Sequence, residues 1–333
     1  MNSEVEREAE HYKSLNEDEL LCELCPHSCR LAPGDKGICR VRENQSGRLY
    51  SLNYGQVTSA AMDPIEKKPL YHFQPGTSTL SLGTWGCNLT CSFCQNWRIS
   101  QGNPTARNYS PVEIVEMAVD KNSSTISFTY SEPIVWYEFI EDTAPPADEH
   151  ELDLILVTNG FINRRPLKEL IPHISACNVD LKSMNADFYR QNCGGGDPEH
   201  VRRSIEELFS AGVHVEVTYL LIPGENDDRE ELVELCEFLQ ELNPGIPLHI
   251  SRYFPRHQFK RHKTPDETLK ESHELASSML DHVYLGNIDL PNARTTFCPD
   301  CGAEVIDRSY YELKNKLQAG NCPDCGAEIY GVF

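Results

Sequence analysis

Three cysteines constrain this chain more than any other feature. They lie in Cys87-Asn88-Leu89-Thr90-Cys91-Ser92-Phe93-Cys94, separated by three and then two residues. Intervals this short keep three thiolates on one tight loop, able to converge on one metal centre. A mononuclear tetrahedral site wants a fourth protein ligand, and none follows closely. A [4Fe-4S] cube uses the same three thiolates and leaves its fourth iron open for something else. A structural zinc loop with a distant fourth ligand is the competing reading. The loop follows an apolar, β-rich run from Thr77 to Trp85, and Gly86 lets the backbone leave the strand sharply. Phe93 sets an aromatic face beside the last ligand, where a purine could stack.

The other cysteines repeat the theme. Of fourteen, eleven fall in three tight groups: Cys22, Cys25, Cys29 and Cys39; the central three; and Cys298, Cys301, Cys322 and Cys325. Such grouping indicates metal sites in a reducing compartment, not a disulfide framework. The first four could close a structural zinc site or hold an auxiliary iron–sulfur cluster, and spacing does not separate the two. The last four form two C-x2-C knuckles, each followed by Gly, a zinc-ribbon or rubredoxin-like pattern that fits zinc or iron. They are the internal repeat of the sequence. Cys177 and Cys236 read as packing residues. Cys193, in a glycine-rich loop, reads as a buried spectator or a hydrogen-atom donor. His27 reads as solvated.

Bulk properties bound the rest. With 51 acidic and 30 basic residues the formal charge is −21, which offers no basic field for nucleic acid or an anionic membrane. The amino terminus is acidic where a leader would be charged and then apolar, and no apolar run approaches the ~20 residues of a membrane span. The expectation is a cytoplasmic protein with no nucleic-acid and no membrane partner.

From about residue 76 to 288 strands and helices alternate, the signal of a parallel α/β sheet or barrel. Strands are expected at 79–83, 124–130, 152–158, 176–181, 214–221 and 248–253, with a seventh at 282–286. Helices are expected at 111–119, 132–140, 166–174, 198–210, 228–242 and 264–280. Ser110 and Thr264 read as caps before Pro111 and Pro265. An acidic helix is expected over residues 4–20. A short strand and turn is expected over 305–311. The domains read as an amino-terminal Cys-rich, metal-stapled lobe (1–60), the α/β unit (61–290) and a carboxyl-terminal metal ribbon (291–333).

In barrels, chemistry gathers at the carboxyl ends of strands. After the first expected strand come the three cysteines. After the second comes Glu132, a carboxylate placed to accept hydrogen bonds from an ammonium group, or simply a helix N-terminal acid. The fourth ends in Asp180-Leu181-Lys182, whose two charges share one face of the strand and need each other or a ligand. The sixth ends at Arg252 and Tyr253, with His257 following. Arg252 has planar donors for a carboxylate. Each of the three is as readily structural.

The C-x3-C-x-aromatic-C loop resembles the signature of the radical SAM superfamily. That resemblance implies a [4Fe-4S] cluster at Cys87, Cys91 and Cys94 whose open iron binds S-adenosylmethionine. It also implies reductive cleavage to a 5′-deoxyadenosyl radical that abstracts hydrogen from a substrate. It further implies a partial (β/α)6, TIM-like barrel. Tyr130-Ser131-Glu132-Pro133 resembles the family's Gly-Gly-Glu-Pro, with both glycines replaced. Thr158-Asn159-Gly160 and Asp180-Leu181-Lys182 resemble activating enzymes of the pyruvate formate-lyase type. There such residues hold the cofactor, which adds Asn159 to the expected cofactor contacts Phe93, Glu132, Asp180, Lys182 and Arg252. Ile222–Asp227 resembles the same enzymes' adenine-side loop. The order of all three cysteine groups resembles the radical SAM protein of the AmmeMemoRadiSam system. The implied partners are an electron donor such as a flavodoxin or ferredoxin and a protein or small-molecule substrate. Three functions stay open: a radical SAM oxidoreductase with an unidentified substrate, a glycyl-radical enzyme activase, and a non-catalytic metal-binding or electron-transfer protein.

Overall fold

The structure, a computed structural model, describes residues 7–308 and 313–333. Its centre is one eight-stranded sheet. In chain order the strands are β1 (Ser59–Pro64), β2 (Ser78–Gly83), β3 (Thr125–Phe128), β4 (Asp153–Thr158), β5 (Ala176–Asp180), β6 (His214–Leu221), β7 (Leu248–Arg252) and β8 (Val283–Gly286), and they lie side by side in that order. From β2 to β8 every neighbouring pair is parallel. β1 runs antiparallel on the edge, with Ser59 opposite Gly83 and Pro64 opposite Ser78.

Parallel strands need crossovers, and the sequence supplies them as helices. These are α1 (Pro111–Asp120), α2 (Tyr137–Glu149), α3 (Arg164–Leu170), α4 (Ala186–Asn192), α5 (Pro198–Ser210), α6 (Arg229–Leu242) and α7 (Asp266–Ser277). The strands are largely buried, with all four residues of β3 and seven of eight in β6 shielded from solvent, although polar residues such as Ser127 and Glu216 lie among the apolar ones. α1 starts as expected, with Ser110 and Glu113 forming a reciprocal capping box before Pro111. α5 and α6 start on Asp197 and Asp228, whose carboxylates accept from the N–H groups of Glu199 and Glu230.

Several expectations fail locally. Residues 4–6 of the expected helix lie outside the described residues. The rest of 4–20 is not helical: Arg7–Glu8 pairs with Arg48–Ser51, and Tyr12–Ser14 pairs with Leu20–Cys22. Pairing with neighbours that arrive later in the chain overrides local helix propensity. The helix expected at 132–140 begins as a 3-10 turn, Pro133–Trp136, before α2. Thr264 does not cap α7; its hydroxyl donates to Leu221 O and accepts from Tyr253 N, so it ties β6 to β7. Edge strand β1 and helix α4 have no counterpart in the sequence reading. Near the carboxyl end Glu304–Asp307 is a strand, as expected; residues 309–311 of that segment lie outside the described residues.

The two terminal regions pack against opposite ends of the parallel strands. The amino-terminal region meets their carboxyl ends: Asn163, past β4, donates its N–H to Leu24 O at 3.0 Å. The carboxyl-terminal region meets their amino ends. The Tyr330 hydroxyl bonds both N and O of Val215, near the start of β6, at 3.2 and 3.3 Å.

Candidate functional site

β2 ends at Gly83, and the chain turns at Gly86 (φ +90°) into the three-cysteine loop. The turn is tight against the amino-terminal lobe: a Cβ on Gly86 would lie 2.6 Å from Val41 Cγ1 and 2.8 Å from Cys39 O. Behind the loop sits the glycine-rich segment at Cys193. Thr90 N–H donates to Cys193 O at 2.9 Å, and Ser92 N–H donates to Asn192 O at 2.8 Å. A Cβ on Gly194 would lie 1.7 Å from Thr90 Oγ1, so this close approach needs glycine. Cys193 itself is fully buried beside Cys91 and does not line the cavity described next.

A cavity of about 850 Å³ opens over the loop. Cys87, Cys91 and Cys94 line it, and so do all six residues expected to touch a cofactor: Phe93, Glu132, Asn159, Asp180, Lys182 and Arg252. They come from five different stretches of the sequence, and the parallel sheet brings its strand ends together.

Glu132 is 3% exposed. Its Oε1 accepts from Thr158 Oγ1 at 2.6 Å and Ile134 N at 3.1 Å, and its Oε2 accepts from Asn159 N at 2.8 Å. Burial pushes its pKa up to about 7; the three hydrogen bonds and the charge of Lys182 oppose that rise. Tyr130 and Ser131 stand where the resembled motif has glycines. Tyr130 adopts φ +68°, a left-handed conformation that is costly for an aromatic residue. Two contacts hold it there: its hydroxyl donates to Asp63 at 2.6 Å, and Lys68 Nζ sits 4.6 Å from its ring centre. Tyr130 thus keeps a glycine-like backbone, and Glu132, two residues on, lines the cavity.

Lys182 Nζ meets Asp180 Oδ2 at 2.7 Å. Burial works against the ammonium, but Asp180 and the nearby thiols outweigh it, and Lys182 stays charged. Asn159 reaches toward the loop: its Nδ2 donates to Asn88 Oδ1 at 2.8 Å and lies 3.9 Å from Cys87 Sγ. Arg252 is paired with Asp266. Phe93 borders the cavity while packing on Phe188 and Phe259, with ring centres 5.8 and 6.1 Å away.

Other expected contacts fall elsewhere. Tyr253 donates its hydroxyl to Phe259 O, and His257 stacks on Trp97 at 4.9 Å; neither lines the cavity. The 222–227 loop does not line it either. Asn226 braces the site from outside, donating to Lys182 O and Leu220 O at 2.8 and 2.9 Å. His27 is not merely solvated: its Nε2 bonds Asn88 O at 2.7 Å. Sequence reading missed the far wall, formed by Tyr71, Thr218, His249, Ser251 and Asn287. His249 Nε2 is held by the buried Glu216 at 2.6 Å. A polar residue in the middle of an apolar strand was the available signal.

The residues fit a thiolate-bound cluster with an adjacent ligand. All three thiols are free of disulfides, and the cavity begins at them. Among the described residues, the group of Cys, His, Asp or Glu ligand atoms lying within 4.8 Å of one another is Cys298, Cys301, Cys322 and Cys325. There Cys298 and Cys325 Sγ are 3.5 Å apart, and Cys301 and Cys322 Sγ are 3.7 Å apart. Metal–sulfur bonds of about 2.3 Å in a tetrahedron put sulfurs about 3.8 Å apart, so this quartet is drawn to a mononuclear site. The central three do not close that far, as expected when each thiolate binds a different iron.

Comparison with known proteins agrees. Residues 82–236 match the model of the radical SAM superfamily. The uncharacterised protein MJ0808 of Methanocaldococcus jannaschii is 42% identical over 314 residues, 92% of this chain and 93% of that protein. Pyruvate formate-lyase 1-activating enzyme of Escherichia coli K12 is 26% identical over 185 residues, 54% of this chain and 74% of the relative. The crystal structure of Streptococcus suis SuiB bound to S-adenosylmethionine superposes with a TM-score of 0.51 at 15% identity, over 66% of this chain and 53% of SuiB, a likeness of fold. With the domain match and a relative alike over nearly its whole length, this chain belongs to the radical SAM superfamily, in one family with the methanogen protein.

Proposed function

We propose that this protein is an oxidoreductase that cleaves S-adenosylmethionine reductively at a [4Fe-4S] cluster held by Cys87, Cys91 and Cys94, and abstracts hydrogen from a substrate in the same cavity. One observation carries the reading: three free thiols and five separate strand-end groups line a single cavity of about 850 Å³. When bound, the cluster and S-adenosylmethionine together supply the 5′-deoxyadenosyl radical; the hard chemistry is theirs. The protein supplies placement. Glu132, oriented by Thr158 and by the N–H of Asn159, offers Oε2 to the methionyl ammonium. Lys182 and Asp180 hold carboxylate and ribose as a fixed pair. Phe93 borders the adenine. Asn159 and Asn88 keep the Cys87 loop in register with β4. Arg252 and the Tyr71–His249 wall face the remaining volume, which is left for substrate.

The alternating strands in sequential order support a partial (β/α)6 barrel as the architecture, between a metal-stapled amino-terminal lobe and a carboxyl-terminal ribbon. The order of the cysteine groups supports the AmmeMemoRadiSam family as the nearer kinship. The likeness to pyruvate formate-lyase activating enzymes supports a second reading, hydrogen abstraction from a glycine of a partner enzyme. It covers 54% of this chain, so it speaks for the cavity more than for the partner.

The test is anaerobic incubation with S-adenosylmethionine and dithionite. The protein should form 5′-deoxyadenosine, and Cys87→Ala, Cys91→Ala and Cys94→Ala should each abolish it. Formation unchanged in all three variants rejects the assignment.

A further inference from the structure

We propose that Cys22, Cys25, Cys29 and Cys39 hold a second iron–sulfur cluster, and that this cluster is where electrons enter on their way to the Cys87 loop. The inference rests on the radical SAM reading for its acceptor.

The four thiols converge in one pocket. A Cβ on Gly37 would lie 3.5 Å from Cys39 Sγ and 3.7 Å from Cys29 Sγ, so those two sulfurs flank one small residue. Cys22 N–H donates to Cys29 O at 2.9 Å, which locks the two ends of the knuckle together. Arg42 is 1% exposed, is paired with the buried Glu138 and donates from Nη1 to Glu10 O at 2.7 Å, and its charge also lies near Cys22 and Cys39. A buried, already neutralised cation is thus fixed beside the pocket.

Geometry distinguishes this quartet from the carboxyl-terminal one. The latter draws its four sulfurs within 4.8 Å of one another; the amino-terminal four stay farther apart, as the three of the central loop do. A single tetrahedral ion needs the closer spacing, whereas a cluster assigns each thiolate its own iron.

Position gives the cluster its role. The pocket abuts the Cys87 loop at two points. Cys39 O packs on Gly86, the residue before Cys87, and His27, two residues after Cys25, bonds Asn88 O at 2.7 Å. The carboxyl-terminal quartet sits at the other end of the sheet, where Tyr330 meets Val215. Between Val215 and Leu221 β6 rises roughly 20 Å at about 3.3 Å per residue. The amino-terminal pocket is therefore the cysteine group placed for electron transfer to the loop. The step is a simple relay. One electron leaves a reduced one-electron carrier protein, reduces the Cys22–Cys39 cluster by one unit, and passes on to the centre at Cys87; no bond forms or breaks and no proton moves.

The experiment counts iron, sulfide and zinc per chain in anaerobically reconstituted protein and in a Cys25→Ser/Cys29→Ser variant. It also compares 5′-deoxyadenosine formation driven by dithionite with that driven by reduced flavodoxin. Wild type should hold about eight irons and eight sulfides in clusters, and the variant about four of each. With dithionite the variant should stay within about twofold of wild type, and with reduced flavodoxin it should fall at least about tenfold. About four irons in the wild type, or a variant that loses one zinc and no iron, overturns the second cluster. Equal loss with both reductants overturns the relay. If the variant does not fold, the wild-type count still decides the cluster. If wild-type protein with dithionite forms no 5′-deoxyadenosine, the radical SAM reading fails, while the iron count stands by itself.

Discussion

Glu132 is the residue whose environment says most about its work. A carboxylate with three protein donors would ordinarily be strongly acidic, yet burial dominates and its pKa rises to about 7. A folded pKa above the unfolded value means that the native protein holds the extra proton. In the ligand-free protein, stability therefore falls as pH rises from about 4.5 to 7 through this group. The ammonium of S-adenosylmethionine wants the ionised form, so affinity should rise across the same range. Glu132→Gln should keep the iron, weaken binding by roughly ten- to hundredfold, equivalent to ~1.5–3 kcal/mol, and flatten the pH dependence below about pH 7.5. Titration calorimetry between about pH 6 and 7.5 measures all of this; wild-type affinity in Glu132→Gln contradicts the role. Glu132, Asp180 and Lys182 were legible in the sequence because charge at the end of an apolar strand is unusual. Asn88 and His249 were not, nor was the bond from Thr158 to Glu132, because their partners lie far off in the chain. Thr158 serves a carboxylate 26 positions away and Asn88 an amide 71 away. The Tyr130 backbone was half legible. The missing glycines were plain, but the hydroxyl bond to Asp63 that holds φ +68° appears only in three dimensions.

At the scale of elements, periodicity located the parallel strands to within a residue or two, because each is a short, mostly buried run rich in apolar and β-branched residues. It missed β1, whose residues are half exposed, as an edge strand's are. It misread 4–20, where short antiparallel pairings are set by distant partners. The carboxyl-terminal knuckles were read most completely. Their repeat in sequence is a repeat in geometry: Gly302 N–H donates to Cys298 O and Gly326 N–H to Cys322 O, each at 2.9 Å. Backbone N–H groups of Asp324 and Cys325 and the neighbouring thiols bring Cys322 down to about 7 against the opposing effect of burial. That primes a thiolate for a metal. The core of this module is small, built on Val305, Ile306 and Ile329, so a metal held by the four thiolates would contribute the folding energy, on the order of 10 kcal/mol in comparable modules. Cys322→Ala should lose one metal equivalent, zinc by expectation, and lower the thermal midpoint while the central cluster stays. Metal analysis with calorimetry checks this; loss of the central iron instead contradicts a structural module.

For the whole molecule, the informative arrangement is that the sheet separates its two outer cysteine groups. Sequence order placed them at opposite ends of the chain but not at opposite ends of the strands. Contacts of His27, Cys39 and Tyr330 set that, each across a large sequence separation. The account stands or falls on the cluster at the centre. The most direct measurement is electron paramagnetic resonance of the anaerobically reduced Cys25→Ser/Cys29→Ser protein, with and without S-adenosylmethionine. Removing the outer cluster leaves the signal of the Cys87, Cys91 and Cys94 centre in view. An open iron that takes S-adenosylmethionine as a ligand predicts that this signal shifts on addition of the cofactor, and that Cys94→Ala in the same background removes it. A signal unchanged by saturating S-adenosylmethionine, or one that survives Cys94→Ala, would contradict the central claim.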